Sequence, residues 1–226
     1  MSWITDNPPT EVVFAGPDTT QAAGAATAGW AQVAVSSTTA QNLVVGATGA
    51  SGGSDTVQPV IPAGFFKPGR SNQVVTIEAA GIISTVATAG TTASFTFGVS
   101  TAAQLAATGV PAATATTLIT TGLYNNASIA WSSIPWYFRI NLHAKRVGFG
   151  TTAIATSILA SGFGGVTPLV TPAVGAVPNF GPIGPNVTTT IDASINNYIW
   201  AAVTFGTNAS TSNTCTMLHM IVDGRN

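Results

Sequence analysis

Charged side chains are scarce in this chain: six Lys and Arg and seven Asp and Glu in 226 residues, or 6%. An ordinary soluble domain carries about 25%, so most of the usual ionic surface is missing. With so few basic groups and a formal net charge of -1, the chain has no electrostatic footprint for nucleic acid. Charge-driven disorder requires the opposite composition. Cysteine is nearly missing as well. Cys215 stands alone, so no intramolecular disulfide can form, and its apolar neighbours point to a buried thiol. Long apolar runs are also lacking. A membrane-spanning helix needs about 20 mostly apolar residues, and the most apolar long stretch, Gly162 to Gly184, is cut by Pro168, Pro172, Pro178 and Pro182. Each proline removes a donor and clashes with the preceding turn. The apolar segments lack the even spacing and aromatic girdles of a transmembrane barrel, so no membrane partner is expected. The start, Met1-Ser2-Trp3-Ile4-Thr5-Asp6, has neither the basic residues nor the apolar core of a secretion signal, which leads to an expectation of synthesis in a cytoplasm.

What is abundant is small. Ala 36, Thr 35, Gly 24 and Ser 17 make up about half the chain. Residues 1–59 read as a low-complexity extended N-terminal arm. Its only β-like clusters are Val12-Val13-Phe14, Val33-Ala34-Val35 and Leu43-Val44-Val45, with Trp3 and Trp30 as large apolar anchors. Such an arm either becomes ordered against a partner surface or adds a ragged strand or two to the main domain. Residues 60–226 read as the domain proper, with a Pro-rich loop at 166–185 crossing one end or edge.

Within the domain, short runs alternate with period two between Gly, Pro, Asn and Ser punctuation. Val74 to Ala79 and Ile82 to Ala87 flank Ala80-Gly81, which reads as a tight hairpin. In Ala93 to Ser100, Ala93, Phe95, Phe97 and Val99 share one face and small polar residues the other. Trp136 to Val147 gives the clearest strand: Trp136, Phe138, Ile140, Leu142 and Ala144 alternate with Tyr137, Arg139, Asn141, His143 and Lys145. Thr151 to Leu159 is its expected hairpin partner. Tyr198 to Phe205 and Thr214 to Val222 read as a final pair, apolar on both faces and therefore central. Only Thr101 to Thr108 could form a helical turn or two. About eight strands at this spacing predict an all-β fold, an antiparallel β-sandwich or jelly roll carrying the extended arm.

A catalytic site needs convergent titratable groups, and the inventory is short: Asp6, Glu11, Asp18, Asp55, Glu78, Asp192, Asp223, His143 and His219. Four of these acids lie in the arm. His143 falls on the polar face of its strand, and His219 in a mostly apolar strand reads as a hydrogen-bonded core histidine. Cys215 and His219, four apart on one strand, would share a face with Cα atoms roughly 13 Å apart. That is too far for a thiolate-imidazole pair, and no metal-ligand spacing is present. No catalytic residue, cofactor site or metal site is expected. Arg139, Lys145 and Arg146, with Lys67 and Arg70, are best read as pairing with Glu78 and Asp192 or as edge protection. Gly148-Phe149-Gly150-Thr151 is not followed by a helix N-terminus that could hold a phosphate. The sequons at Asn126, Asn186 and Asn208 arise readily in a Ser- and Thr-rich chain. A sugar site would want aromatic platforms beside carboxylates or amides; Tyr124, Trp131, Trp136, Tyr137, Tyr198 and Trp200 could include one, yet no carboxylate-aromatic cluster is legible.

A chain whose surface is covered by copies of itself and by neighbours can dispense with charge, because obligate interfaces are apolar. The sequence is therefore read as a structural subunit of a particle. The segments Gly64-Phe65-Phe66-Lys67-Pro68-Gly69, Val75-Thr76-Ile77-Glu78-Ala79-Ala80-Gly81, Ala93 to Val99, Ile134-Pro135-Trp136 and Val147-Gly148-Phe149-Gly150-Thr151 resemble the small β-sandwich virion proteins of tailed bacteriophages. That resemblance covers about residues 60 to 225 and rests on strand order and turn placement. It implies a jelly roll similar to the tumour-necrosis-factor type, assembly as a trimer, and service in the virion as a capsid decoration or minor capsid protein that clamps the major capsid protein's lattice. Trp3, Phe14, Trp30, Tyr137, Tyr198 and Trp200 are the candidate partner or oligomer contacts. The competing expectation is a trimeric tail-tip or fibre module that binds host carbohydrate.

Overall fold

The computed structural model describes residues 11–16, 33–34, 40–44, 59–68, 73–87, 91–101, 115–126, 130–148, 155–167, 181–184, 186–206, 210 and 212–225. Among these residues there is no helix, and every strand pairing is antiparallel. In chain order the strands are β1 (Glu11–Gly16), β2 (Val33–Ala34), β3 (Gln41–Asn42), β4 (Val60–Ile61), β5 (Val74–Thr85), β6 (Thr92–Ser100) and β7 (Ala115–Thr120). They continue as β8 (Tyr124–Asn125), β9 (Trp131–Arg146), β10 (Thr156–Val166), β11 (Gly181–Pro182), β12 (Val187–Ile191), β13 (Asn197–Phe205) and β14 (Thr214–Arg225).

Two sheets form. The larger runs β1-β14-β5-β9-β10-β11, with β12 also on β10 and β2 also on β14; the smaller runs β3-β13-β6-β7, with β4 on β13 and β8 on β6. They stack as a β-sandwich, the fold class the alternating strands predict. Alternation decides which residues meet between the layers, because successive side chains point to opposite faces. Trp136, Phe138, Ile140 and Leu142 of β9 point inward with Val75, Ile77, Ala79 and Ile83 of β5. They face Phe95, Phe97 and Val99 of β6 and Ile199, Ala201, Val203 and Phe205 of β13.

At the centre Phe95 lies 5.0 Å from Trp136 and 4.8 Å from Phe138, ring centre to ring centre, and Phe97 lies 5.7 Å from Phe138. Tilted and edge-on aromatic pairs of this kind each add about 0.5–1.5 kcal/mol beyond their buried area. β7 lies beside β10 and β12 and so closes one side of the sandwich. Leu43 and Val44, which follow β3, are fully buried in the same core.

Several expectations are corrected. Ala80-Gly81 is not a hairpin: β5 runs straight through it, because β14 and β9 pair with it on both sides. Gly81 is needed for closeness, since a Cβ there would meet the Trp136 ring and the Thr216 carbonyl. β13 and β14 are not a pair. They belong to different sheets, so the chain between them crosses from one layer to the other. Each does lie inside its sheet, as its apolar faces predict. The partner of β9 is β10, but it runs from Thr156 to Val166, the first residue of the stretch read as loop, and β11, which lies inside that stretch, pairs with Phe163 and Gly164 of β10. In residues 60–226 the described strands number 11, against the eight or so expected there, the excess matching the two-residue β4, β8 and β11. The helical turn considered at 101–108 lies almost entirely outside the described residues, as does 168–180 of the Pro-rich stretch.

Candidate functional site

The two outer faces of the sandwich differ. On the small sheet, the outward positions Trp200 and Ala202 are 3% and 1% exposed. Trp200 lies over Gly98, where a Cβ would collide with its ring. On the large sheet, Phe163 and Leu218 are 52% and 53% exposed. The exposed outward positions of the small sheet include the polar Thr117 and Thr120 of β7, whereas the large sheet exposes large apolar side chains on its open outer face.

Its side chains are placed by ladder register. One row reads Ile221, Glu78, Arg139, Phe163 across β14, β5, β9 and β10. A neighbouring row reads His219, Ala80, Tyr137, Gly165, and the row on the other side reads Asp223, Thr76, Asn141, Ser161. Arg139 Nε lies 3.3 Å from Glu78 Oε1, with the side chains 51% and 27% exposed. Partial burial raises the Tyr137 phenol above its ordinary value, and the Glu78 charge beside it and their hydrogen bond act in the same direction. Thr76 Oγ1 donates to Asn141 Oδ1 at 3.1 Å. The centre of this face is thus one ion pair with a tyrosine on it, flanked by apolar side chains.

A β-bulge sets part of this arrangement. Register between β14 and β5 shifts between Met217 and His219, so Leu218 is the extra residue. Met217 and Met220 then both face the core, while Leu218 and His219 lie outside it. Strict alternation placed Cys215 and His219 on one face, and that expectation is overturned: Cys215 is buried and His219 is only half-buried. Nor is His219 a core histidine. Burial drives the Cys215 thiol well above its ordinary value, which leaves it a poor nucleophile.

The remaining acid of the domain, Asp192, stands elsewhere. It lines a cleft of about 160 Å³ with Ser100, Thr116, Thr190 and Asn197. Its Oδ1 accepts from the Ser194 backbone N–H at 2.9 Å and from Ser194 Oγ at 2.5 Å. Asn197 Nδ2 donates to the carbonyls of Asp192 and Ile195 at 2.7 and 3.0 Å. Both polar side chains therefore shape the turn between β12 and β13. Glu78, Asp192 and His143 do not meet in a cleft: His143 pairs with Val74, four residues along β5 from Glu78. Among the described residues no three His, Cys, Asp or Glu side chains come together as metal ligands. No helix among them is long and apolar enough to cross a membrane.

Of the expected contact residues, Tyr137 sits at the centre of the open face. Tyr198 and Trp200 lie on the outer side of the small sheet, half-buried and buried, and Trp200 Nε1 has no hydrogen-bond partner among the described residues. Phe14 is in register with Val222. Trp3 and Trp30 lie outside the described residues. Sequence reading missed the carboxylate-aromatic group of Glu78, Arg139, Tyr137 and Phe163. Its signal was there in outward parity, but β5, β9 and β10 become neighbours only through pairing. No known protein family, curated protein or solved structure matches this chain.

Proposed function

We propose that the chain is a structural virion protein, a capsid decoration or minor capsid subunit that self-associates and stabilises a phage head lattice. The observation that carries this reading is the open outer face of the large sheet. It is broad, and its centre holds a single, internally paired Glu78 and Arg139, with the further charges Asp223, Arg225, Lys145 and Arg146 toward one end. A face of that kind is poorly suited to permanent exposure and well suited to cover by protein. The scarcity of charge in the whole sequence supports the same conclusion.

A second reading has one observation in its favour. Tyr137, Glu78, Arg139 and Phe163 put aromatic and polar groups side by side, as a carbohydrate platform would, and so favour a tail-tip or fibre module that binds host sugar. Quantitative mass spectrometry of particles released from cells that make the protein in its native setting separates the two. Hundreds of copies per particle support the decoration role. A handful indicates the tail-tip module, and none overturns both.

A further inference from the structure

We infer that the outer face of the large sheet is self-complementary and packs face to face on the same face of a second copy, related by a two-fold axis. The axis lies in the plane of contact, parallel to the strands and between β5 and β9. This rests on the self-associating part of the proposed function and adds the surface, the partner and the symmetry.

The order of side chains in the rows carries this symmetry. Such an axis exchanges β5 with β9 and β14 with β10. The central row, Ile221, Glu78, Arg139, Phe163, reads apolar, acid, base, apolar. Reversed by the half-turn, it is its own complement: Glu78 faces Arg139 of the second copy, and Ile221 faces Phe163. In the next row, His219, Ala80, Tyr137, Gly165, the small Ala80 faces Tyr137, while Gly165 at the end of the row is already buried within the chain. On the other side, Thr76 faces Asn141, and Asp223 faces Ser161, so polar groups meet polar groups. An isologous contact requires this kind of self-complementarity.

Size agrees. Strands β14, β5, β9 and β10, spaced by ~4.8 Å and about 11 residues long at ~3.4 Å each, present roughly 700 Å², which approaches the ~800 Å² per partner of a standard interface. Two twisted sheets stacked in this way align at about 30°. Arg139 engages Glu78 through Nε. Its terminal nitrogens supply further donors for the second copy's carboxylate, so the two ion pairs would close into a four-membered alternating network. Burying one pair alone is unfavourable, whereas an alternating network also fixes the register of the two faces.

The test is sedimentation equilibrium of the full chain, with variants chosen to separate this contact from folding. Phe163→Asp and Leu218→Asp, at exposed positions, should leave the circular dichroism spectrum unchanged and weaken self-association by about tenfold or more. Arg139→Glu makes the centre wholly acidic, and Glu78→Arg makes it wholly basic. Each alone should fail to dimerise, and an equimolar mixture should form the heterodimer. That rescue cannot come from a pairing within one chain. A monomeric wild type, a trimer unaffected by these substitutions, or a mixture that stays monomeric would overturn the inference. So would a monomer that binds glycans in a Phe163-dependent way. A monomeric wild type would also remove the self-associating part of the proposed function, whereas the other results leave it standing and the particle copy number tests the capsid role by itself, so the two can fail separately.

Discussion

Replacing Gly81 with Ala tests the packing that underlies the open face. The new methyl would lie 2.6 Å from Trp136 Cζ2 and nearer still to the Thr216 carbonyl. The ring is held between the sheets against Phe95 and Phe138, and the carbonyl belongs to a paired strand beside the Leu218 bulge. Neither can give way cheaply. Overpacking a core costs about 1–3 kcal/mol, and a displaced ladder hydrogen bond costs about 1 kcal/mol more. The expected destabilisation is therefore roughly 2–4 kcal/mol, or about 10 °C in melting temperature for a chain of this size. Urea unfolding followed by circular dichroism and tryptophan emission, at one fixed protein concentration, measures it. Gly122→Ala is the control, because nothing lies within 4 Å of a Cβ there. Trp136→Phe combined with Gly81→Ala should recover only the part due to the ring, leaving the clash with Thr216. A Gly81→Ala protein within about 0.5 kcal/mol of wild type, no worse than an ordinary surface substitution, would refute the reasoning.

Phe138→Ala removes the ring that touches Phe95, Phe97, Tyr124 and Trp136, and should cost about 3–5 kcal/mol in the same assay. Thr156→Val should cost about 1–3 kcal/mol, because the buried Thr156 hydroxyl both accepts from the Gly148 N–H at 3.1 Å and donates to its carbonyl at 3.0 Å. Alkaline conditions should destabilise the fold. Burial pushes the Tyr124 phenol from 10.0 up to about 12, against an opposing hydrogen bond with Thr121. Between those values the unfolded chain loses its proton while the folded one keeps it, so stability is full below the lower value and falls as pH rises through the upper. The buried Cys215 thiol, also raised, acts in the same direction. A melting temperature that does not fall in this range would contradict both assignments.

The sequence alone determined the class of fold and the inward face of its best strands. Alternation in Ala93 to Val99 and in Trp136 to Leu142 is a local property, since each backbone step reverses the side chain, and the core confirms both sets. Scarcity of charge was equally plain from composition. What the sequence could not decide was adjacency. Ala80-Gly81 looks like a turn until Trp136 arrives from β9 to occupy the space above Gly81. β13 and β14 look like a hairpin until each finds its partners in a different layer. His219 looks like a core residue until the bulge at Leu218 reverses the phase of β14. The row Ile221, Glu78, Arg139, Phe163 draws on four strands scattered over more than half the chain, and only the register of their pairing makes it one surface. Local geometry fixes which way a side chain points, whereas its neighbours depend on long-range pairing that tertiary packing selects.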